Sequence, residues 1–184
     1  MKYNEIEFDA IVATPGCGKS YLCDKYPDLF VDVDEVRLRC KYFVPENITR
    51  AELEATKGNR KFARRADDHQ YVIDLHKKLD QYVKKGKTLI AAPHHEAISY
   101  LVNNNIKFCF IYPDESMKEE IKQRMENRGN NQKVIQENYD EFERFLISNK
   151  KENKSVVHYV FKKDEYLENI LKIFGYDFNI KRGL

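Results

Sequence analysis

A strand-like run from Ile6 to Ala13 passes through a loop with two glycines and directly into a helix. The run starts by alternating apolar and polar residues and ends apolar, as a strand does on entering the centre of a sheet. The loop is Ala13-Thr-Pro-Gly-Cys-Gly-Lys-Ser20, and the helix continues from Lys19 to about Tyr26, where Pro27 stops it. A strand feeding a helix through so tight a turn belongs to a sheet whose faces are covered by helices. The remaining chain keeps the alternation. Residues 29–33, 88–92, 107–112 and 156–161 read as four more short strands. The expectation is an α/β architecture of three layers with a five-stranded, mainly parallel sheet, built as one domain over the 184 residues. Ligands of such sheets bind beyond the C-terminal ends of the strands.

Helical periodicity fills the intervals. Val72, Leu75, Leu79 and Val83 fall on one helical face, as do Ile135, Tyr139, Phe142 and Leu146, and then Tyr166, Ile170, Leu171 and Phe174. Ser116-Met-Lys-Glu119 has the form of a capping box and predicts a helix after the fourth strand.

Composition removes several classes. Hydrophobic residues at 42% exclude a disordered chain. No apolar run approaches the ~20 residues of a membrane-spanning helix, and the polar, mixed-charge start from Met1 to Asp9 has no signal-peptide pattern. The net charge of +2 argues against a protein that merely coats a polyanion. Cys17, Cys23, Cys40 and Cys109 have no disulfide or zinc spacing, which fits buried thiols in a reducing cytoplasm.

The 13–20 segment matches the phosphate-loop pattern at Gly18, Lys19 and Ser20, with Ala13 at the place of the usual first glycine. Gly16 and Gly18 let the backbone curl so that successive N–H groups point at phosphate oxygens. The helix N-terminus adds partial positive charge at the same place. On this reading residues Thr14, Pro15, Gly16, Cys17, Gly18, Lys19, Ser20 and Tyr21 bind ATP. Lys19 bridges its β- and γ-phosphates, and the Ser20 hydroxyl binds Mg2+.

Phosphoryl transfer also needs a metal ligand, an oriented acceptor and cations for the moving charge. The second strand ends in Asp32-Val-Asp34, so Asp32 is the candidate for Mg2+ and Asp34 for the acceptor. Capping of the helix beginning near Glu35 is the structural alternative for both. The third strand ends in Pro93-His-His-Glu96 without the Asp that many such proteins place there, which leaves Asp32 or Glu96 for the metal and His94 or His95 for substrate. Residues 37–65 contain nine Lys+Arg and three acids, a charge of +6 on a remainder of −4. Arg37, Arg39, Arg60 and Arg64 from this insert are candidates to grip an acceptor phosphate.

Residues 13–21 resemble the loop of nucleoside monophosphate kinases and their small-molecule kinase relatives. The acidic pair after the second strand is similar to that of shikimate-type and polynucleotide kinases. Tyr112-Pro-Asp114, residues 124–130 and Asn138-Tyr-Asp140 resemble a phage-type deoxynucleotide kinase group, also called adenylate-kinase-like. The resemblance implies a P-loop kinase fold, with an acceptor insert at about 37–68 and a lid at about 124–140 whose Arg124 and Arg128 close over the transferring phosphates. It implies transfer of the γ-phosphate of ATP to a (deoxy)nucleoside monophosphate, with Lys19, Asp34, Arg124 and Arg128 as the catalytic set. Three alternatives stay open: a hydroxyl acceptor on a small metabolite, a nucleic-acid 5′ end, and a nucleotide-binding regulator without useful catalysis. The expected partner is thus a small-molecule nucleotide, with no membrane partner, in a monomer or homodimer.

Overall fold

The computed structural model describes residues 1–3, 6–56, 61–149 and 157–179. An antiparallel pair, β1 (Lys2–Tyr3) and β2 (Ile6–Glu7), precedes the main sheet. The sheet consists of β3 (Ala10–Ala13), β4 (Phe30–Asp32), β5 (Thr88–Ala91), β6 (Phe108–Pro113) and β7 (Val157–Phe161). Their spatial order is β4-β5-β3-β6-β7, and every neighbouring pair is parallel. The first strand therefore lies in the middle of the sheet, and the C-terminal ends of all five strands share one edge.

The first predicted strand is divided. Ile6–Glu7 pairs with Lys2–Tyr3 rather than with the main sheet. At the break the amides of Asp9 and Ala10 both donate to the Lys107 carbonyl, at 2.8 and 3.1 Å, which shifts the chain into a new register. From Ala10 on, successive side chains serve opposite layers, as the two-residue period of a strand requires. Ile11 and Ala13 pack with α1 (Lys19–Lys25), α6 (Lys118–Asn127), α7 (Gln132–Asn149) and α8 (Leu167–Ile173). Ala10 and Val12 pack with α2 (Val33–Lys41), α4 (Asp68–Lys84) and α5 (His95–Asn103). These are the three layers expected, with an all-parallel sheet.

Two local expectations change. Asp114, not Ser116, caps the segment after β6: its carboxylate accepts from the Ser116 amide and hydroxyl, and a single 3-10 turn (Glu115–Met117) precedes α6. A residue whose hydroxyl is already donating to the cap is not the cap itself. On α4 the buried stripe is Tyr71, Leu75 and Leu79, whereas Val83 is exposed. Strict four-residue spacing brings Tyr71 inward and leaves Val72 half-buried.

The insert after β4 has a small core of its own. Leu38, Ile48 and Leu53 pack with Tyr42, Val44 and Phe62 around α3 (Arg50–Glu54), which starts at a capping box of Thr49 and Glu52. Lys41–Phe43 runs antiparallel to Ala63–Arg65 through a Tyr42–Arg64 bridge. No helix among the described residues is long and apolar enough to cross a membrane.

Leu75 is fully buried between α4 and the sheet. Leu75→Ala is expected to lower unfolding free energy by about 2–5 kcal/mol, and Val83→Ala on the exposed side of the same helix by about 0.5 kcal/mol or less. Urea unfolding followed by circular dichroism measures both.

Candidate functional site

The chain leaves the buried end of β3 at Ala13 and enters α1 at Lys19, so the glycine loop stands at the middle of the C-terminal edge. Gly16 and Gly18 have φ of 83° and 93°, a region that side chains disfavour. A Cβ on Gly16 would also meet Ile121 of α6 at 3.1 Å. With this curl the amides of Gly16, Cys17 and Gly18 donate no hydrogen bond among the described residues. Ordinarily such buried or half-buried donors are paired. A row of them at a helix start fits an anion.

Lys19 folds back over the loop, its ammonium donating to the carbonyls of Ala13 and Thr14 at 2.8 and 2.9 Å. The Thr14 hydroxyl is buried without a hydrogen-bond partner among the described residues, and the Cys17 thiol donates to the Thr14 carbonyl at 3.0 Å. Pro15 is half-buried in the turn, and the Ser20 hydroxyl at the start of α1 makes no hydrogen bond among the described residues. Tyr21 is exposed and carries Lys25 5.4 Å from its ring centre.

Two later elements clamp the loop. Arg124 on α6 donates to the Gly16 carbonyl at 3.2 Å and to Glu120, and its guanidinium lies 4.4 Å from the Tyr166 ring centre. Tyr166 also faces Gly18, and the Leu167 amide donates to the Cys17 carbonyl at 2.8 Å. Arg124 thus reaches the loop while holding the Glu120 partner one turn away. Arg128 does not join it. That residue caps the end of α6, exposed and without a side-chain partner among the described residues.

The outer strand β4 ends in Asp32, which is buried and caps α2 by accepting from the Asp34 amide at 2.9 Å. Its other oxygen meets Arg50 of the insert at 2.5 Å; Arg50 also holds Asp24 of α1 at 2.7 Å. Burial opposes the charge on Arg50, but Asp32, Asp24 and Glu35 around it raise its pKa. Beside it the Cys23 thiol is pushed up by burial and by the Asp32 carboxylate.

Asp34, one position into α2, accepts from Arg37 at 3.2 Å and faces His94 Nε2 at 3.0 Å. His94 comes from the turn after β5, so the parallel order of β4 and β5 brings these two groups together. His95 points elsewhere, its Nε2 3.5 Å from the Ser99 hydroxyl on α5. Behind Arg37, the Tyr71 hydroxyl is buried with no partner in hydrogen-bonding geometry among the described residues. Burial pushes its pKa up to about 12 against the pull of the adjacent Arg37. Lys41 is held below its usual range by burial and by Arg37 and Arg64.

The charge of the insert is mostly spent on pairs. Arg37 joins Asp34, Arg39 joins Glu35, Arg50 joins Asp24 and Asp32, Arg64 joins Asp68, and Arg65 joins Asp74. All six of these pairs reach carboxylates outside residues 37–65, on α1, β4, α2 and α4, which a count restricted to the insert misses. Arg60 lies outside the described residues. Arg50, Lys41 and Tyr71 do not stand out in the sequence as site residues, because nothing in their local pattern announces which distant residue they meet, and Tyr166, expected on the apolar face of the last helix, instead caps α8 and is 44% exposed.

No family model and no curated protein matches the chain. Among solved structures it is similar to the crystal structure of an uncharacterized protein from Eubacterium ventriosum ATCC 27560, with 15% identity, a TM-score of 0.46, and coverage of 91% of this chain and 98% of that one.

Arg50→Ala strips the cation from a buried carboxylate. It is expected to destabilise the protein by about 2–3 kcal/mol, somewhat less than a fully buried pair because Arg50 is partly exposed. Arg39→Ala breaks a more exposed pair and should cost about 1 kcal/mol or less. Urea denaturation of the two variants beside the parent decides the comparison.

Proposed function

We propose that the protein is an ATP-dependent phosphotransferase whose acceptor lies beside the second strand. The observation that carries this reading is the glycine loop, with three amides that have no acceptor among the described residues and the Lys19 ammonium held on the Ala13 and Thr14 carbonyls beside them. Phosphate oxygens would satisfy these donors, and Lys19 can swing from two neutral carbonyls to a charged group without leaving the loop.

The donor set fits a nucleotide-bound Mg2+ in part. The Ser20 hydroxyl has no competing partner among the described residues, whereas the Asp32 carboxylate is engaged by the Asp34 amide and by Arg50. No group of three or more His, Cys, Asp or Glu suited to a metal occurs among the described residues. Mg2+ commonly takes one or two protein groups with substrate oxygens and water, so Ser20 suffices as the protein ligand. Bound there, the ion would neutralise charge developing between the β- and γ-phosphates.

The chain's own groups divide the remaining work. Lys19 and the loop amides orient the phosphates, and Arg124, already hydrogen-bonded to the loop, adds positive charge from α6. Asp34, Arg37 and His94 form the acceptor side. Arg37 favours an acceptor with an anionic group, in line with a (deoxy)nucleoside monophosphate. The Asp34 carboxylate favours a second reading, a hydroxyl acceptor, because it supplies a place for the proton.

Thermal melting with ATP and Mg2+ tests the core of the proposal. At a hundred times its dissociation constant a ligand adds about 2.7 kcal/mol, which for a chain of this size raises Tm by about 5–10 °C. Lys19→Ala is expected to abolish the shift. No shift in the parent, or an equal one in Lys19→Ala, rejects the reading.

A further inference from the structure

Arg50 is the first residue of α3, and its guanidinium bridges the insert to other elements. It donates to Asp24 of α1 at 2.7 Å and to Asp32 at the end of β4 at 2.5 Å, with Glu35 of α2 at 3.6 Å. The Asp32 carboxylate is buried, and a buried charge requires a counter-charge. Arg50 supplies it. Asp24 follows Ser20 by four residues on α1, on the same face and about 6 Å along the axis. Close by, the buried Cys23 thiol lies in the field of Asp32, Arg50, Asp24 and Lys19 together. The bridge and the residues that would hold nucleotide phosphates thus share one corner of the sheet edge.

Resting on the phosphotransferase reading above, we propose that Arg50 is a latch that lets go when a nucleotide-bound Mg2+ is held at Ser20, so that loading the metal nucleotide frees α3 from α1. One oxygen of Asp32 accepts from the Asp34 amide as the cap of α2, and the second is the one that Arg50 holds. A dication at Ser20 attracts that oxygen with the larger charge. It also repels the guanidinium across a corner that water screens poorly. Nucleotide without metal brings no competing cation, so Arg50 then stays between Asp24 and Asp32. The latch therefore responds to the metal and not to base or sugar.

The consequence for the insert follows from its attachments. Leu38 of α2 packs with Ile48 and Leu53, and Arg39 of α2 donates to the Ile48 carbonyl at 3.3 Å. Arg50 carries the ion pairs to α1 and β4. With these broken, α3 keeps its apolar seat on α2 and gains freedom to hinge about it. The same α2 carries Asp34 and Arg37, so metal loading at the loop is transmitted to the element that flanks the acceptor side.

Linkage makes the effect reciprocal. If the metal nucleotide weakens the bridge, weakening the bridge must tighten the metal nucleotide by the same factor. Titration calorimetry with the non-hydrolysable β,γ-imido analogue of ATP, in Mg2+ and in EDTA, measures that factor. Arg50→Lys keeps the charge and loses the two-pronged grip. It is expected to bind the Mg2+ analogue about fivefold or more tighter than the parent, with the metal-free analogue within about twofold. Asp24→Asn removes the 61% exposed end of the bridge and should tighten the Mg2+ analogue by about twofold. Simple charge attraction predicts otherwise: no change for Arg50→Lys, and weaker binding for Asp24→Asn.

Hydrogen exchange of the parent is the second readout. Amides of residues 48–56 are expected to exchange about fivefold or more faster with the Mg2+ analogue than with the metal-free one. Unchanged or slower exchange overturns the latch and leaves the phosphotransferase reading standing. So does parent-like Mg2+ affinity in Arg50→Lys, or weaker Mg2+ binding in Asp24→Asn. If the analogue binds in neither condition, both readings fall together.

Discussion

The strand Ala10–Ala13 is hydrogen-bonded on both sides, to Thr88–Ala91 and to Phe108–Pro113, and is buried on both faces. That double pairing governs the rest of the molecule. A strand so enclosed can only leave the sheet at its end, and the residues that follow must turn sharply before a helix can cover them. The glycine loop is this turn. Because all five strands are parallel, the ends of β4, β5 and β6 arrive at the same edge. Asp32, His94 and Asp114, scattered over the sequence, thereby become neighbours of one rim. A mixed sheet would have sent one or more of them to the opposite side.

Electrostatics at that rim is a matter of partners rather than totals. The insert brings many cations, yet most are held by carboxylates from other elements. Arg50 ties the insert to α1 and to the end of β4, and Arg65 ties it to α4. These pairs cost desolvation and return geometry, which makes them better at fixing the insert than at adding stability. Among the described residues, the buried groups left without a hydrogen-bond partner at this edge include the Thr14 and Tyr71 hydroxyls and the amides of Gly16 and Cys17. Buried groups without partners are rare in folded proteins and concentrate where a ligand is to be bound.

Much of the architecture was legible in the residues. The strand–loop–helix at 6–25 and the alternation after it gave the layers, and four strands lie within a residue or so of the expected limits. Errors arose where local pattern had a tertiary competitor. Residues 6–13 alternate smoothly, but the pairing of Ile6–Glu7 with Lys2–Tyr3 interrupts the strand. Ser116 has the spacing of a cap, and Asp114 takes the position because a carboxylate accepts from both its amide and its hydroxyl. At the candidate site Asp34 and Arg37 could be paired from their i, i+3 spacing, and Arg124 with Glu120 from theirs. His94 and His95 could not be distinguished, since adjacent residues differ only in which way the turn aims them.

Sequence alone determined what is short-range: the two glycines that permit the curled loop, the lysine and serine that follow, and the periodicities that sort residues between two helical layers. These follow from steric limits on φ and ψ and from burial, which act over a few residues. Only the tertiary structure decided that Arg50 neutralises Asp32, that Arg124 and Tyr166 close on the loop, and that the Tyr71 hydroxyl is buried without a hydrogen-bond partner among the described residues. Those outcomes depend on contacts between residues up to 150 positions apart in the chain. Coulomb interaction and hydrogen bonding act through space, and only the parallel sheet sets which distant groups meet.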